Sequence, residues 1–373
     1  MKKEDVAPKQ KGESRRQFIG KIAKGIGVAA LGSRLDSSVF ALNESFAQTA
    51  RQGRQFGFII HGGAGTLERS KMTAALESEY RAKLTEALTA GYNVIVKDGK
   101  SLDAVETAIR ILEDSPMFNA GRGAVFTAAG TNELDASIMD GSNLMAGAVG
   151  DVRHIKNPIS LARLVMEKSP HVMMVGDGAE VFAKQNGVRF VPQSYFYTEQ
   201  RWQEYLEDKA NDEKQKQKQP DKKAKTVSEN YVTINDKHGT VGAAALDKFG
   251  NLAAGTSTGG LSYKRFGRIG DSPIIGAGTY ANNATCAISA TGDGEYFIRL
   301  GVARDISALM EYGGKSIEEA AQIVIGKVGK LGGTGGVIGI DKNGNFTEFF
   351  NTDGMYRGRV GADGKMIVQI YKD

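Results

Sequence analysis

The chain has 373 residues, of which 41% are hydrophobic, so it is long enough to bury a large core as one big domain or two ordinary ones. The net charge is +5, but residues 1–50 carry nine Lys/Arg against five Asp/Glu, a net of +4, which leaves +1 for the rest. A nearly neutral remainder argues against nucleic acid as a partner. The 48 glycines favour an α/β protein with many tight turns over a coiled coil or a repeat array.

Residues 1–50 are predicted to form an export signal followed by a flexible segment. Residues 14–21 (SRRQFIGK) resemble a twin-arginine signal, and a weakly apolar run follows at 22–32. That run is too short to serve as a stable membrane anchor. We therefore expect export to the periplasm. A basic disordered tail is the alternative, because Lys24 interrupts the apolar run.

Strand-like and helix-like segments alternate through the first half of the chain. Apolar runs typical of strands occur at 56–60, 143–152 and 171–175. Apolar residues at helical spacing follow Ser101, an N-cap residue type, and follow Pro158, which suits a first helical turn. The alternation predicts an α/β fold.

Several common kinds of site are excluded by their missing motifs. The run HGGAG (61–65) is a glycine turn after a strand, and Val94 stands where a phosphate loop ending at Ser101 would need glycine. We interpret His61 as a structural hydrogen-bonding residue. The four histidines lack ligand spacing and the chain has no HExxH or CxxC, so catalytic zinc is not expected. The single cysteine, Cys286, lies in an apolar run and is predicted to be buried.

The segment 209–229 is the most polar of the chain after the export signal. It contains seven lysines, three glutamines and four acids, and it cannot bury enough surface to become ordered. We expect a disordered tether over about 205–236. A nucleic-acid-binding arm is the alternative, but acids are interspersed and aromatic residues are lacking within it.

The step from Gly239 to Thr240 follows this tether. Such a step suits a precursor that cuts itself: Thr240 Oγ attacks the unhindered Gly239 carbonyl, the acyl group moves from nitrogen to oxygen, and water hydrolyses the ester. The freed α-amine, with an ordinary pKa of roughly 7.7–8.0, then serves as the base for the Thr240 hydroxyl. A Gly-Thr pair alone usually marks only the start of a strand, so the motifs around it decide whether it is a cleavage site.

The second half of the chain again shows strands and helices. Strands are predicted on both sides of a turn at 248–251 and again at 335–340 and 345–350, with helices at about 295–312 and 316–328. We expect residues 51–239 and 240–373 to be the two halves of one folded domain, 51–373, cut in the middle.

Several separated motifs in one order resemble the isoaspartyl peptidase/L-asparaginase family, the plant-type asparaginases among the N-terminal-nucleophile hydrolases. The likeness covers about residues 56–360. The motifs are HGGAG (61–65), FNAGRGAVFT (118–127), ELDASIMDG (133–141), NPISLAR (157–163), HGTVGAAALD (238–247), TSTGG (256–260), GRIGDSPIIGAGTYANN (267–283) and TGDGE (291–295).

The resemblance implies a four-layer αββα sandwich, which periodicity alone does not give. It also implies a self-cleaving threonine amidohydrolase that releases L-aspartate from isoaspartyl dipeptides and L-asparagine, and a dimer of cleaved alpha-beta heterodimers. Small molecules are the expected partners, with no catalytic cofactor. A glycosylasparaginase is the alternative enzyme, although Val241-Gly242-Ala243 looks more like the isoaspartyl branch. A periplasmic binding protein that keeps the pocket without cleaving is the non-catalytic alternative.

The resemblance also assigns the site residues. Thr240 is implied as the nucleophile with Thr258 beside it, Arg268 as the fork for the substrate carboxylate, and Asp271 with the Gly294 carbonyl as partners of the substrate ammonium. Thr291 and the Gly292 N–H are implied as oxyanion donors, and Asn119 as a neighbour of the nucleophile in the substrate site. The alternative for Arg268 and Asp271 is a surface ion pair beside a turn, which their spacing permits. Without the resemblance, the threonines would be interpreted as strand residues.

The loop at 112–122 corresponds in the family to a turn that binds a structural sodium ion through main-chain carbonyls. The implied ligands are Leu112, Glu113, Ser115, Phe118, Ala120 and Arg122.

Overall fold

A computed structural model describes residues 55–65, 72–218 and 239–372. The residues of the proposed export signal lie outside this part of the chain, and Arg54–Asp373 group into one compact unit. Among the described residues, none of the helices combines the length and apolar character needed to cross a membrane.

Twelve strands form two sheets in the described part of the chain. The large sheet has the order β12-β11-β1-β5-β6-β2-β3-β4, and the small sheet has the order β10-β9-β8-β7. The neighbours pair antiparallel except β3 and β4, which are parallel. The strands are β1 Gly57–Gly65, β2 Leu134–Asp140, β3 Ala146–Val152, β4 Met173–Val175, β5 Val241–Leu246, β6 Leu252–Thr258, β7 Thr279–Ala281, β8 Cys286–Gly292, β9 Gly335–Asp341, β10 Phe346–Phe350, β11 Gly354–Gly361 and β12 Met366–Tyr371.

Most of the helices of the described residues lie on the two outer faces. The helices of this part of the chain are α1 Ala74–Val96, α2 Ser101–Glu113, α3 Pro158–Lys168, α4 Gly176–Gln185, α5 Glu199–Lys218, α6 Gly294–Leu300, α7 Val302–Gly313 and α8 Ile317–Lys330. Helices α1, α2 and α3 pack on the large sheet, and α7 and α8 pack on the small sheet. Strands β5 and β6 face β8 and β9 between the sheets, which gives the four layers αββα and confirms the expected fold.

Small residues in the central strands allow these layers to approach closely. Strands β5 (VGAAAL) and β6 (LAAGTST) are fully buried. A side chain at Gly255 would place its Cβ 2.9 Å from Val105 of α2, so this residue must stay small. Four apolar clusters form among the described residues. One lies between the helices and the large sheet, one between the sheets and one under α7 and α8. The fourth is small and consists of Phe126, Tyr205 and Tyr263.

Strand pairing brings distant parts of the chain to one end of the large sheet. Antiparallel β5 and β6 set Val241 opposite Ser257, and β1 sets His61 opposite Gly242. Because Thr240 immediately precedes β5 and Thr258 ends β6, the two threonines meet there.

The expected disordered tether at about 205–236 is wrong in its first part. Residues up to Lys218 belong to helix α5, while 219–238 lie outside the described residues. The polar composition indicates disorder, but aromatic contacts stabilise the helix. Trp202 and Tyr205 of α5 stack at 4.9 Å, and the ring of Tyr205 contacts that of Tyr263 at 5.9 Å.

Further differences between the prediction and the structure concern helices and strands. The predicted helix at about 295–312 is two helices, because Gly301 takes a left-handed conformation with φ of 59° between them. Helices α1 and α4 and strands β2, β7, β8, β11 and β12 were not predicted from the sequence. Burial of Cys286 is confirmed, and burial raises the pKa of its thiol to about 12.

Candidate active site

The Thr240 side chain lies at the junction of the two halves of the chain. It is 8% exposed, and its hydroxyl donates to Thr258 Oγ1 at 3.1 Å. The Thr258 hydroxyl in turn donates to the Gly239 carbonyl at 3.4 Å and accepts from the Gly260 N–H at 3.0 Å. Thr258 therefore connects the hydroxyl of Thr240 with the carbonyl of the peptide bond that precedes it.

The predicted glycine turn at 61–65 is wrong, because these residues continue β1 and pair with β11. A bulge in this part of β1 lies against the Gly239–Thr240 peptide bond. The pairing of β1 with β11 shifts register between His61 and Gly63, and Gly63 has a φ of +109°. A Cβ at Gly63 would lie 2.9 Å from Gly239 Cα and 3.1 Å from Thr240 N. Only glycine can adopt this positive φ and also pack this closely against the Gly239–Thr240 peptide bond.

A pocket opens beside Thr240 and includes several predicted site residues. Its lining residues are Gly239, Thr240, Thr258, Gly260, Leu261, Arg268, Gly270, Asp271, Ser272 and Gly292. Thr240, Thr258, Arg268, Asp271 and Gly292 are thus brought together as predicted. Gly260, Leu261, Gly270 and Ser272 were not predicted as site residues.

Arg268 forms a bidentate ion pair that the sequence did not indicate. Its Nε and Nη2 donate to Oε1 and Oε2 of Glu295 at 2.9 and 2.8 Å. Burial acts to raise the pKa of Glu295, but the hydrogen bonds and positive charge of Arg268 outweigh it and hold that pKa below its usual range. Glu295 is the last residue of the TGDGE motif, so the motif contained it without indicating its partner.

Gly294 packs on the segment that carries Arg268 and Asp271. A Cβ at Gly294 would lie 2.9 Å from Arg268 Nη2 and 2.9 Å from the Asp271 N. Asp271 is itself 4% exposed. The glycine therefore lets α6 begin against the guanidinium of Arg268 and the main chain of Asp271.

Gly292 ends β8 at the rim of the same pocket, and Thr291 precedes it in the strand. Gly292 has a φ of +152°, and a Cβ there would lie 2.6 Å from Gly335 Cα. The Thr291 hydroxyl accepts from the Ala64 N–H at 3.4 Å, and Thr291 is fully buried beside the lining rather than part of it.

Comparison with known proteins agrees with this arrangement. The model of the Asparaginase family matches residues 54–370. The chain belongs to this family.

Similar members of the asparaginase family come from bacteria and animals. An isoaspartyl peptidase of Salmonella typhimurium (strain LT2) is 48% identical over 315 residues, which are 84% of this chain and 98% of that protein. An isoaspartyl peptidase of Escherichia coli (strain K12) is 48% identical over 318 residues, 84% of this chain and 95% of that protein. An isoaspartyl peptidase/L-asparaginase of Xenopus laevis is 41% identical, covering 84% and 94% of the two chains.

Asn119 lies next to Gly239 in this asparaginase-family chain, but its amide group contacts the main chain. Its Nδ2 donates to the Gly260 carbonyl at 2.7 Å, and its Oδ1 accepts from the Val125 N–H at 3.0 Å. A Cβ at Gly239 would lie 2.9 Å from Asn119 Cβ. The structure thus places Asn119 beside the cleavage step, as a link between two loops and outside the pocket lining.

His61 is fully buried behind Thr240, in the role of a structural hydrogen-bonding residue. Its Nε2 is 2.9 Å from Ser289 Oγ, which lies 2.7 Å from Thr256 Oγ1, so a chain of hydroxyls crosses between the sheets. Burial lowers the pKa of His61 to about 3, although a hydrogen bond donated by the ring to the main chain of Thr240 acts to raise it. His61 is therefore neutral at pH 7.

In the loop after α2, main-chain carbonyls pack closely against two glycines. A Cβ at Gly121 would collide with the Glu113 carbonyl, and one at Gly123 would collide with the Phe118 carbonyl and lie 2.7 Å from that of Pro116. Main-chain oxygens therefore crowd around two glycines, which is a donor set that hard cations prefer. Among the described residues there is no group of three or more His, Cys, Asp or Glu side chains able to hold a metal.

Proposed function

We propose that this chain is a self-cleaving threonine amidohydrolase that hydrolyses isoaspartyl dipeptides and L-asparagine to release L-aspartate. The observation that carries the proposal is the position of Thr240. It follows Gly239 directly, hydrogen-bonds Thr258 at 3.1 Å, and lines a pocket with both Arg268 and Asp271. The isoaspartyl peptidases at 48% identity support this choice of substrate.

The first reaction is cleavage of the chain between Gly239 and Thr240. Thr240 Oγ attacks the Gly239 carbonyl carbon, the C–N bond breaks as the nitrogen takes up a proton, and an ester remains. The break frees the α-amine of Thr240. Water then hydrolyses the ester, which restores the Thr240 hydroxyl and leaves a carboxylate on Gly239. Thr258, which contacts both the attacking hydroxyl and the Gly239 carbonyl, orients the two groups.

The second reaction uses the new α-amine as general base. It accepts the proton of Thr240 Oγ as that oxygen bonds to the side-chain carbonyl carbon of the substrate. The Thr291 hydroxyl and the Gly292 N–H donate to the oxyanion. When the C–N bond breaks, the ammonium returns a proton to the leaving nitrogen, as ammonia or the amine of the dipeptide. Water, deprotonated by the same amine, hydrolyses the β-aspartyl ester.

Arg268 and Asp271 bind the amino-acid head common to both substrates. The guanidinium pairs with the α-carboxylate, and Asp271 with the Gly294 carbonyl pairs with the α-ammonium. The Glu295 carboxylate contacts Nε and one side of Nη2, so Nη1 and the second N–H of Nη2 form another fork for the substrate.

A structural sodium ion is part of the proposal. The main-chain carbonyls of Leu112, Glu113, Ser115, Phe118, Ala120 and Arg122 would hold it, and it would stiffen the loop that carries Asn119. Support comes from the crowding of carbonyl oxygens around Gly121 and Gly123. A thermal midpoint that is equal in sodium chloride and choline chloride would contradict it.

Export and assembly are also proposed. The twin-arginine pattern at 14–21 supports transport to the periplasm, and a fusion of residues 1–50 to a reporter that remains in the cytoplasm would contradict it. The family resemblance supports a dimer of cleaved heterodimers. A light-scattering mass equal to one heterodimer would contradict that assembly.

The direct test of the activity is hydrolysis by purified, processed protein. We expect release of L-aspartate from L-asparagine and from a β-aspartyl dipeptide. Release from a glycosylated asparagine alone would identify a glycosylasparaginase. An uncut chain that binds these compounds without turnover would identify a binding protein and contradict the proposal.

A further inference from the structure

The segment 260–267 joins Thr258 at the end of β6 to Arg268 in the pocket, and its backbone is strained. Gly260 and Gly267 have φ values of +81° and +67°. Tyr263 and Phe266 also lie in the left-handed region, with φ of 58° and 60°. Non-glycine residues hold this conformation only where their surroundings enforce it.

Hydrogen bonds with the loop that contains Phe126 and Ala128 hold part of this backbone conformation. The Tyr263 N–H donates to the Phe126 carbonyl at 2.8 Å, and the Ala128 N–H donates to the Lys264 carbonyl at 2.9 Å. Lys264 is 3% exposed, and its Nζ lies 3.6 Å from a carboxylate oxygen of Glu133. These contacts fix the middle of segment 260–267, at Tyr263 and Lys264.

Helix α5 supplies the remaining contacts, on both sides of Tyr263. The Ser262 hydroxyl donates to Asp208 Oδ2 at 2.7 Å, and both residues are buried. Arg265 Nη2 lies 2.6 Å from Asp212 Oδ2, with the two side chains only 25% and 14% exposed. The two acids are four residues apart and therefore project from one face of the helix.

The same helix holds the other loop beside the pocket. Arg201 Nε donates to the Gly123 carbonyl at 2.9 Å, and the ring of Trp202 packs edge-on against Phe126 at 5.3 Å. That loop carries Asn119, whose Nδ2 donates to the Gly260 carbonyl at 2.7 Å. Helix α5 thus contacts both segment 260–267, which lines the pocket through Gly260 and Leu261, and the loop that carries Asn119.

We propose that helix α5, through Asp208 and Asp212, is a positioning element for substrate binding in the processed enzyme. It holds segment 260–267 in the strained shape that presents Leu261 and Arg268 to the pocket. The proposal rests on the proposed function. It implies that α5 stays docked after cleavage, since Glu199–Lys218 belongs to the half that ends at Gly239.

Alanine at Asp208 or Asp212 tests the proposal, with Glu213→Ala as the matched control. Glu213 is an exposed acid on the same helix, so its removal changes the charge and the helix equally without touching segment 260–267. Three quantities are measured: the fraction cut between Gly239 and Thr240, kcat and KM with L-asparagine and a β-aspartyl dipeptide, and amide hydrogen exchange in 260–267.

The expected result is normal cutting and a KM raised about three- to tenfold in both alanine variants, with a smaller change in kcat. Amide exchange in 260–267 should accelerate. Asp212→Glu should restore most of the KM, and exchanging the charges, Asp212→Arg with Arg265→Asp, should restore part of it. Glu213→Ala should match wild type in every measurement.

A KM and an exchange rate in Asp208→Ala and Asp212→Ala equal to those of Glu213→Ala would overturn the proposal. Equal loss of kcat and thermal stability, with KM unchanged, would assign α5 a merely structural role and also overturn it. The amide exchange of 260–267 is also compared among Asp208→Ala, Asp212→Ala and Glu213→Ala in a chain that carries Thr240→Ala, where no enzymatic activity is needed. If wild type fails to cut or hydrolyse, the proposed function fails, while this exchange comparison still decides the role of α5.

Discussion

Glu295 holds the guanidinium of Arg268 by both carboxylate oxygens, at 2.9 and 2.8 Å. The Glu295 side chain is 59% exposed, so the pair contributes little to stability. Its geometry instead fixes the plane of the guanidinium and leaves a second fork of N–H groups for another carboxylate. Arg268 is therefore an oriented cation before substrate arrives.

Arg268→Lys should separate substrate recognition from self-cleavage. Cleavage between Gly239 and Thr240 is intramolecular and presents no free α-carboxylate, so the variant should still be cut. Lysine keeps the charge but loses the planar fork, and kcat/KM should fall about ten- to a hundredfold on both substrates. Wild-type kcat/KM in a fully cut variant would show that another cation binds the carboxylate.

Glu295→Ala should raise KM by up to about fivefold, because a mobile guanidinium must be ordered on binding. Glu295→Gln should have a smaller effect, since one acceptor oxygen remains. The matched control is Glu311→Ala, which removes the acid of another arginine pair, with Arg304 at 3.3 Å. A lower KM in Glu295→Ala would mean that Glu295 competes with substrate instead of orienting Arg268.

Gly63→Ala should slow self-cleavage by a factor of about ten or more, because a small displacement of reacting groups has a large cost in rate. The new Cβ would lie 2.9 Å from Gly239 Cα, and a φ of +109° is unfavourable for alanine. The fraction cut over time after expression is the measurement. Gly178→Ala is the control, since no atom lies within 4 Å of a Cβ there. Equal processing of the two variants would contradict the importance of this contact.

His61 should make the fold sensitive to acid. Burial lowers its pKa to about 3, from 6.5, so between these values the unfolded chain binds the additional proton. The contribution of His61 is therefore complete above pH 6.5 and is lost as the pH falls, by about 1.4 kcal/mol per pH unit.

This predicts that the free energy of unfolding falls more steeply from pH 6.5 to 5 in wild type than in His61→Gln, which cannot be protonated. Urea unfolding at several pH values measures both slopes. Parallel slopes would show that His61 is not buried as a neutral base.

The sequence predicted the architecture well where motifs and periodicity coincide. Strand β5, the Gly239–Thr240 step and the cluster of Thr258, Arg268 and Asp271 follow from motifs in one order. Helix α5 was missed because its stability comes from aromatic and ionic contacts to residues far along the chain, such as Tyr263 and Arg265. Polar composition alone indicates disorder.

The same limit applies within the site. The motif TGDGE contains Glu295, but its partner depends on how α6 begins against Arg268, which local sequence does not encode. The strain at Tyr263 and Phe266 is likewise invisible in sequence, because neither is a residue type that favours positive φ. Such relations arise only from tertiary contacts.

The most direct test of the account is N-terminal sequencing of the purified protein beside Thr240→Ala and Thr240→Ser. Wild type should give two fragments, the smaller one beginning at Thr240, and Thr240→Ser should also be cut because it keeps a hydroxyl. Thr240→Ala should remain one chain without hydrolase activity. A smaller fragment that begins elsewhere, or a Thr240→Ala chain that is cut like wild type, would contradict the claim that Thr240 is the nucleophile.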